Sequence, residues 1–198
     1  LKCLADLPRT RFHHIADNDV ARIFWGRIPV VQATSFIYFS KESRYRQIIH
    51  DLKYKNQQHI GIKMGRLFAL ELRNTGFMNT DYIIPVPLHA KKLRIRGYNQ
   101  SRLIAEGMSE IMHKPVLTDH VIRKIPTKTQ TRKSRYERWE NVRDTFYVMQ
   151  TSEIQNKHFL LVDDVITTGS TIEACARALL EVPGVSISIA SLACVKIQ

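Results

Sequence analysis

The sequence predicts an α/β fold with parallel strands, and three observations carry that expectation. His158 to Val162 is a short apolar run of strand length, Thr171 to Leu180 reads as a helix, and Val185 to Val195 alternates Val185, Ile187 and Ile189 with serines. A strand, a crossover helix and a second strand joined over this length form a parallel pair. The 198 residues, 44% of them hydrophobic and 24% charged, suit one ordinary domain with a small appendage and exclude a long disordered chain.

Taken in order, residues 1 to 33 mix Pro8, Pro29, two histidines and several charges, and read as an irregular N-terminal segment with one short helix around Val20 to Trp25. Residues 34 to 198 form the domain proper. Thr34 to Phe39 is β-branched and aromatic, hence a strand, and Tyr45 to Lys55 places Ile48, Ile49 and Leu52 at helical spacing. A second helix runs from Ile60 to Leu72, with Met64, Leu67, Phe68 and Leu72 facing inward. Tyr82 to Val86 is an apolar run cut by Pro85 and Pro87, so a strand ends abruptly there in an unusually basic loop. From Ser101 to His113, residues Leu103, Ile104, Met108, Ile111 and Met112 make one apolar helical face, which reads as ordinary core. Val121 to Ile125 is a further strand, and the polar, charged stretch from Pro126 to Asp144 reads as a long mobile loop or arm. No internal repeat is visible.

Lysine and arginine outnumber aspartate and glutamate by 30 to 18, a net charge of +12, of which residues 85 to 146 carry +8. A polyanion or a phosphorylated partner fits that charge, and so does a plainly solvated surface. No apolar run approaches the ~18 residues needed to cross a bilayer, so a soluble protein without membrane insertion is expected. Cys3, Cys175 and Cys194 are too few and too scattered for a disulfide framework or a complete zinc site, which makes a reducing, cytoplasmic setting the default. The chain starts at Leu1, and nothing near it has the layout of a signal peptide.

The chemistry concentrates in Phe159, Leu160, Leu161, Val162, Asp163, Asp164, Val165, Ile166, Thr167, Thr168, Gly169, Ser170, Thr171. Four apolar residues run into two acids, and a hydroxyl-rich turn then opens a helix. In a parallel sheet, ligands sit beyond the carboxyl ends of the strands, where these acids fall. The turn offers backbone N–H groups and hydroxyls at a helix N-terminus, which suits a phosphate. A sugar attached to that phosphate would lie beside carboxylates able to accept hydrogen bonds from its hydroxyls. Strand-end acids and helix caps are each common alone, and it is their order here that points to a ribose phosphate. Neither a Walker-type loop nor the Rossmann glycine fingerprint is present.

Those thirteen residues resemble the phosphoribosyl-diphosphate signature of the type I phosphoribosyltransferases. Two further stretches are similar to the ComF and GntX-like family of competence proteins. They are Pro85, Val86, Pro87, Leu88, His89 leading to Arg96, Gly97, Tyr98, Asn99, Gln100, and Thr129, Gln130 leading to Arg138, Asn141, Val142, Phe146. The resemblance implies the type I phosphoribosyltransferase fold, a parallel sheet with helices on both faces and a hood or flexible arm. It assigns the ribose hydroxyls to Asp163 and Asp164, which are also the catalytic pair. The 5′-phosphate goes to Thr167, Thr168, Gly169, Ser170 and Thr171, and the diphosphate to Val86, Pro87, Leu88, His89, Ala90 and Lys91. Pro87 and His89 depart from the small, glycine-containing loop usual in such enzymes, while Lys91, Lys92, Arg94 and Arg96 are cations near it.

The resemblance further implies a glycosyltransferase that binds phosphoribosyl diphosphate, or a related phosphorylated ribose, with Mg²⁺ and serves DNA uptake in natural competence. Pro126 to Phe146 is then the closing arm, with cations Arg132, Lys133, Arg135 and Arg138. The rival expectation is a non-catalytic competence protein of the same fold that binds single-stranded DNA, for which Tyr98, Tyr136 and Trp139 interleave with arginines. Other competence proteins are the further partners implied. Cys3, followed by Leu4, Ala5, Asp6, Leu7 and Pro8, is similar to the end of the cysteine-rich zinc module of such proteins, and one cysteine cannot make a four-ligand site. Zinc is therefore expected only where partner cysteines precede Leu1, and no metal is assigned to Cys3, His13 or His14.

Overall fold

The computed structural model describes residues 6–40, 45–55, 57–123, 146–149 and 151–196. Its strands are β1 (Gln32–Phe39), β2 (Tyr82–Pro85), β3 (Val121–Arg123), β4 (Phe146–Val148), β5 (His158–Ile166) and β6 (Ser186–Val195). Its helices are α1 (Asp19–Phe24), α2 (Arg46–Tyr54), α3 (Gln58–Leu72), α4 (Ala90–Arg96), α5 (Gln100–Met112), α6 (Thr151–Ile154) and α7 (Ser170–Leu180). Strands β1, β6, β5 and β2 lie side by side in that order, all parallel, and β3 pairs antiparallel with β4.

The two central strands explain the continuous apolar run seen in the sequence, because a strand covered on both faces has no wet side. Phe159 and Leu161 face a core shared with Phe24 of α1 and with Ile172 and Leu179 of α7. Leu160 and Val162 face the opposite core, built from Leu52 of α2, Phe68 of α3, and Ile104 and Met108 of α5. Two serines of β6 share this burial. Ser188 and Ser191 are fully enclosed and satisfy each hydroxyl locally, Ser188 with His158 Nε2 at 2.8 Å and Ser191 by donating to Ser35 Oγ at 3.0 Å.

Both edges of the sheet accept backbone hydrogen bonds from irregular chain and donate them to it, which blunts them as templates for aggregation. Along β1, Thr10 N donates to Phe36 O and Tyr38 N to Pro8 O. Along β2, Ile83 N donates to Pro115 O, and Leu117 N to Ile83 O. Helices α3 and α5 approach through glycine: a Cβ on Gly65 would lie 2.1 Å from the Ile104 carbonyl oxygen, and one on Gly107 2.1 Å from that of Ile62. Among the described residues, no helix is long and apolar enough to cross a membrane.

Three expectations near the end of β5 and after β2 change, beyond shifts of one or two residues at other element ends. The strand expected to end at Val162 continues to Ile166, so both acids lie within β5, where backbone pairing to β6 extends past them. The helix after the hydroxyl turn begins one residue early, at Ser170. The basic loop after β2 contains α4, since lysine, arginine and leucine are good helix formers and His89 Nδ1 caps the first turn by accepting from Lys91 N at 3.2 Å. The arm, with Arg132, Lys133, Arg135 and Arg138, lies outside the described residues up to Phe146, which opens β4. Cys3 lies outside them as well.

Candidate ribose-phosphate site

Asp163 and Asp164, within the last residues of β5's backbone pairing, meet side chains of different helices. Asp163 Oδ1 accepts from the Ser101 hydroxyl at 2.9 Å and from the Asp164 backbone N–H at 2.8 Å. Asp164 Oδ2 lies 3.0 Å from Lys53 Nζ, which α2 brings over the end of the sheet. Burial, and then the neighbouring Asp164 charge, push the Asp163 carboxyl up to about 7, against the opposing pull of its two hydrogen bonds and of Lys53. An acid in that range exchanges its proton near neutrality, as groups at functional sites do.

Immediately after β5 the chain turns through Thr167, Thr168 and Gly169 into α7. Gly169 has φ +75°, and a Cβ there would also sit 2.6 Å from Ile23 Cγ2 and 3.0 Å from the Phe24 ring, so only glycine lets the turn rest on α1. Thr168 and Ser170 hydroxyls meet at 2.9 Å. Arg27 Nη1 donates to Thr168 O at 3.1 Å and lies 3.6 Å from Glu173, while Arg177 Nη2 donates to Arg27 O at 2.7 Å, bracing the turn from behind. Asp163 and residues 165–172 line a cavity of about 40 Å³ here, the scale of a compact group and far short of a nucleoside. The two parts assigned to ribose and phosphate are thus contiguous.

Beside them, Val86 N donates to Val162 O at 2.8 Å, so the loop expected to meet a diphosphate starts next to the acids. Val86, Pro87, Leu88 and His89 form that loop, and Ala90 and Lys91 already belong to α4. Lys91, Lys92 and Arg94 are exposed, whereas Arg96 donates to Gln100 Oε1 at 2.7 Å and lies over the Tyr54 ring.

The profile of the phosphoribosyl transferase domain matches residues 101–196, which include Ser101, the acids and the turn. The chain is 35% identical over 137 residues to the DNA utilization protein YhgH of Escherichia coli K12, covering 67% of this chain and 60% of that protein. It is 32% identical over 151 residues to competence protein F of Haemophilus influenzae, covering 74% and 66%. The chain belongs to the ComF-like family of proteins with a type I phosphoribosyltransferase fold. This ComF-like chain spans about three fifths of the length of the YhgH proteins it matches. Among solved structures it is similar to the glutamine phosphoribosylpyrophosphate amidotransferase from B. subtilis complexed with ADP and GMP, at 19% identity and TM-score 0.49, covering 71% of this chain and 30% of that one.

Four residues of this ComF-like site carry no role in the sequence reading. Lys53 gave no local signal, because a lysine inside an amphipathic helix reads as solvated. Arg27 sits in a stretch without periodicity. Ser101 looked like one more small residue at a helix start, and Asn99 belonged to a recognised motif without a stated task. Asn99 Nδ2 donates to Val86 O at 3.0 Å and its Oδ1 accepts from Ser101 N at 3.0 Å, so it joins the loop to the helix that reaches Asp163. A larger cleft of about 560 Å³ is lined by Pro87, Leu88, Tyr98, Asn99 and Arg102 among others.

Proposed function

We propose that this chain binds phosphoribosyl diphosphate as its magnesium complex and transfers the phosphoribosyl group to a nitrogen nucleophile, in the service of DNA uptake in natural competence. The observation that carries the reading is the unbroken run from Asp163 to Thr171, in which a hydrogen-bonded acid pair meets a phosphate-sized turn at the N-terminus of α7. Thr167 to Thr171 hold the 5′-phosphate, Asp163 and Asp164 accept from the ribose hydroxyls, and the Val86 to Lys91 stretch meets the diphosphate. The magnesium arrives with the diphosphate it neutralises.

In the reaction the nitrogen lone pair forms the new bond to the anomeric carbon, diphosphate leaves with the electron pair of the broken C–O bond, and the nitrogen's proton passes to solvent. The ring gains positive character as the bond breaks, and the adjacent carboxylates stabilise it electrostatically. Charge on the leaving diphosphate is met by magnesium and by the cations of α4. Buried free Cys175 and Cys194 are consistent with a reducing, cytoplasmic setting.

The test is a crystal soak with phosphoribosyl diphosphate and magnesium, beside calorimetry on the Asp163→Asn, Asp164→Asn double variant. The sugar phosphate is expected at the Thr167 to Thr171 turn, with at least ~10-fold weaker binding of phosphoribosyl diphosphate in the variant and unchanged binding of inorganic phosphate. Density elsewhere, or full affinity in the variant, overturns the assignment.

A second reading rests on the net charge of +12, on the exposed Lys91, Lys92 and Arg94, and on relatives named DNA utilization proteins. It makes the chain a single-stranded-DNA-binding competence protein without glycosyl transfer. Diphosphate release across a panel of nitrogen acceptors separates the two.

A further inference from the structure

One six-residue stretch, Arg96 to Ser101, ties together three parts of the site that come from distant segments. Tyr98 is buried and its hydroxyl donates to Leu52 O at 2.7 Å, directly before Lys53, whose ammonium meets Asp164. Asn99 holds Val86 O at the start of the loop. Ser101, only 3% exposed, donates to Asp163 Oδ1. A buried helical serine ordinarily turns its hydroxyl back onto a carbonyl of its own helix. Here the hydroxyl leaves the helix for a carboxylate, while Asn99 Oδ1 fixes the Ser101 backbone.

We propose, resting on the ribose-phosphate reading above, that Ser101 is a positioning residue whose hydroxyl holds the Asp163 carboxylate ready for the sugar hydroxyls. The groups that face Asp163 are Asp164 on its own strand, Lys53 from α2, Ser101 from α5, and the buried Cys175 thiol of α7, itself within the field of Arg123 on β3. The register partner of Asp163 on β6 is the neutral Ser191. Burial keeps the Cys175 thiol protonated, so it adds no charge. Ser101 is the one uncharged side chain among them that donates a hydrogen bond to the ionised acid. A donor to the charged form favours that form, and its removal lets burial and Asp164 raise the midpoint further.

The experiment follows the Asp163 side-chain carboxyl by carbon NMR through a pH titration of wild type, Ser101→Ala and Ser101→Thr. In parallel, binding of magnesium phosphoribosyl diphosphate and of inorganic phosphate is measured over the same pH range. The alanine variant is expected to titrate about one pH unit higher, since a hydrogen bond to a charged group is worth that much. Its affinity for phosphoribosyl diphosphate then falls, by up to about tenfold at pH values below both midpoints, because a one-unit rise lowers the ionised fraction by that factor there. The loss should fade as the pH rises well above both midpoints, threonine should restore both readouts, and phosphate binding should stay unchanged. An unmoved Asp163 midpoint in the alanine variant overturns the proposal, as does an affinity loss that is equal at every pH. Wild type that never takes phosphoribosyl diphosphate overturns the ribose-phosphate reading instead, and the NMR midpoint still decides the Ser101 contact.

Discussion

Asp163 is a carboxyl group whose burial and whose neighbour Asp164 work against its charge. Its native midpoint, about 7, stands above the ordinary carboxylate value, so between about pH 4 and 7 the folded chain binds more protons than the unfolded one. The resulting stability is fully present below that window and is lost as the pH rises through it. Asp163→Asn keeps an oxygen for the Ser101 hydroxyl and the Asp164 N–H while removing the ionisation. The variant is expected to be more stable than wild type by about 1–3 kcal/mol above neutral pH, with the difference shrinking toward pH 4. Urea unfolding at both ends of the range measures it, and a constant difference across the range would show that Asp163 titrates normally.

At the scale of elements, the approach of α3 to α5 determines where Ser101 and Asn99 stand. Gly65 and Gly107 let the two backbones touch, and the new methyl of an alanine at Gly65 would meet a carbonyl rather than a side chain that can swing aside. Alanine's better helix propensity offsets the clash by about 1 kcal/mol at most. Gly65→Ala is therefore expected to destabilise by about 1–3 kcal/mol in urea unfolding. Because α5 must retreat, phosphoribosyl diphosphate affinity should fall more than inorganic phosphate affinity, since the phosphate turn is braced from the other side by Arg27, Ile23 and Phe24. Equal stability of wild type and variant would mean the two helices are farther apart than described.

Across the whole molecule, the charge of +12 is what makes a nucleic-acid partner worth testing against the small ligand. Replacing Arg132, Lys133 and Arg135 by alanine should leave stability within about 0.5 kcal/mol per site if they are surface residues. If they touch DNA, the slope of log K against log salt for a single strand should flatten by ~0.7 per lost contact. If they act on the small ligand, that slope stays constant while phosphoribosyl diphosphate binding or turnover falls. The second outcome is expected, because the Asp163 to Thr171 run is far more specific than a basic stretch.

The sequence by itself determined the parallel strand, helix, strand unit at the C-terminus and the order of acids, hydroxyl turn and helix start inside it. Those depend on local order: apolar run, acids, hydroxyl turn and helix start are neighbours in the chain, and neighbours constrain each other through backbone geometry alone. It missed α4, where a basic run looked like a loop although its residues favour helix. Only the tertiary structure decided that Lys53 and Ser101 meet the two acids, that Asn99 joins the Val86 loop to α5, that Arg27 braces the turn, and that α1 dictates glycine at position 169. Ser101 and Asp163 stand 62 positions apart in the chain, and Arg27 and Thr168 stand 141 apart. No periodicity or spacing reports such pairs, because the sheet and the close α3 and α5 packing must form before the side chains come within reach.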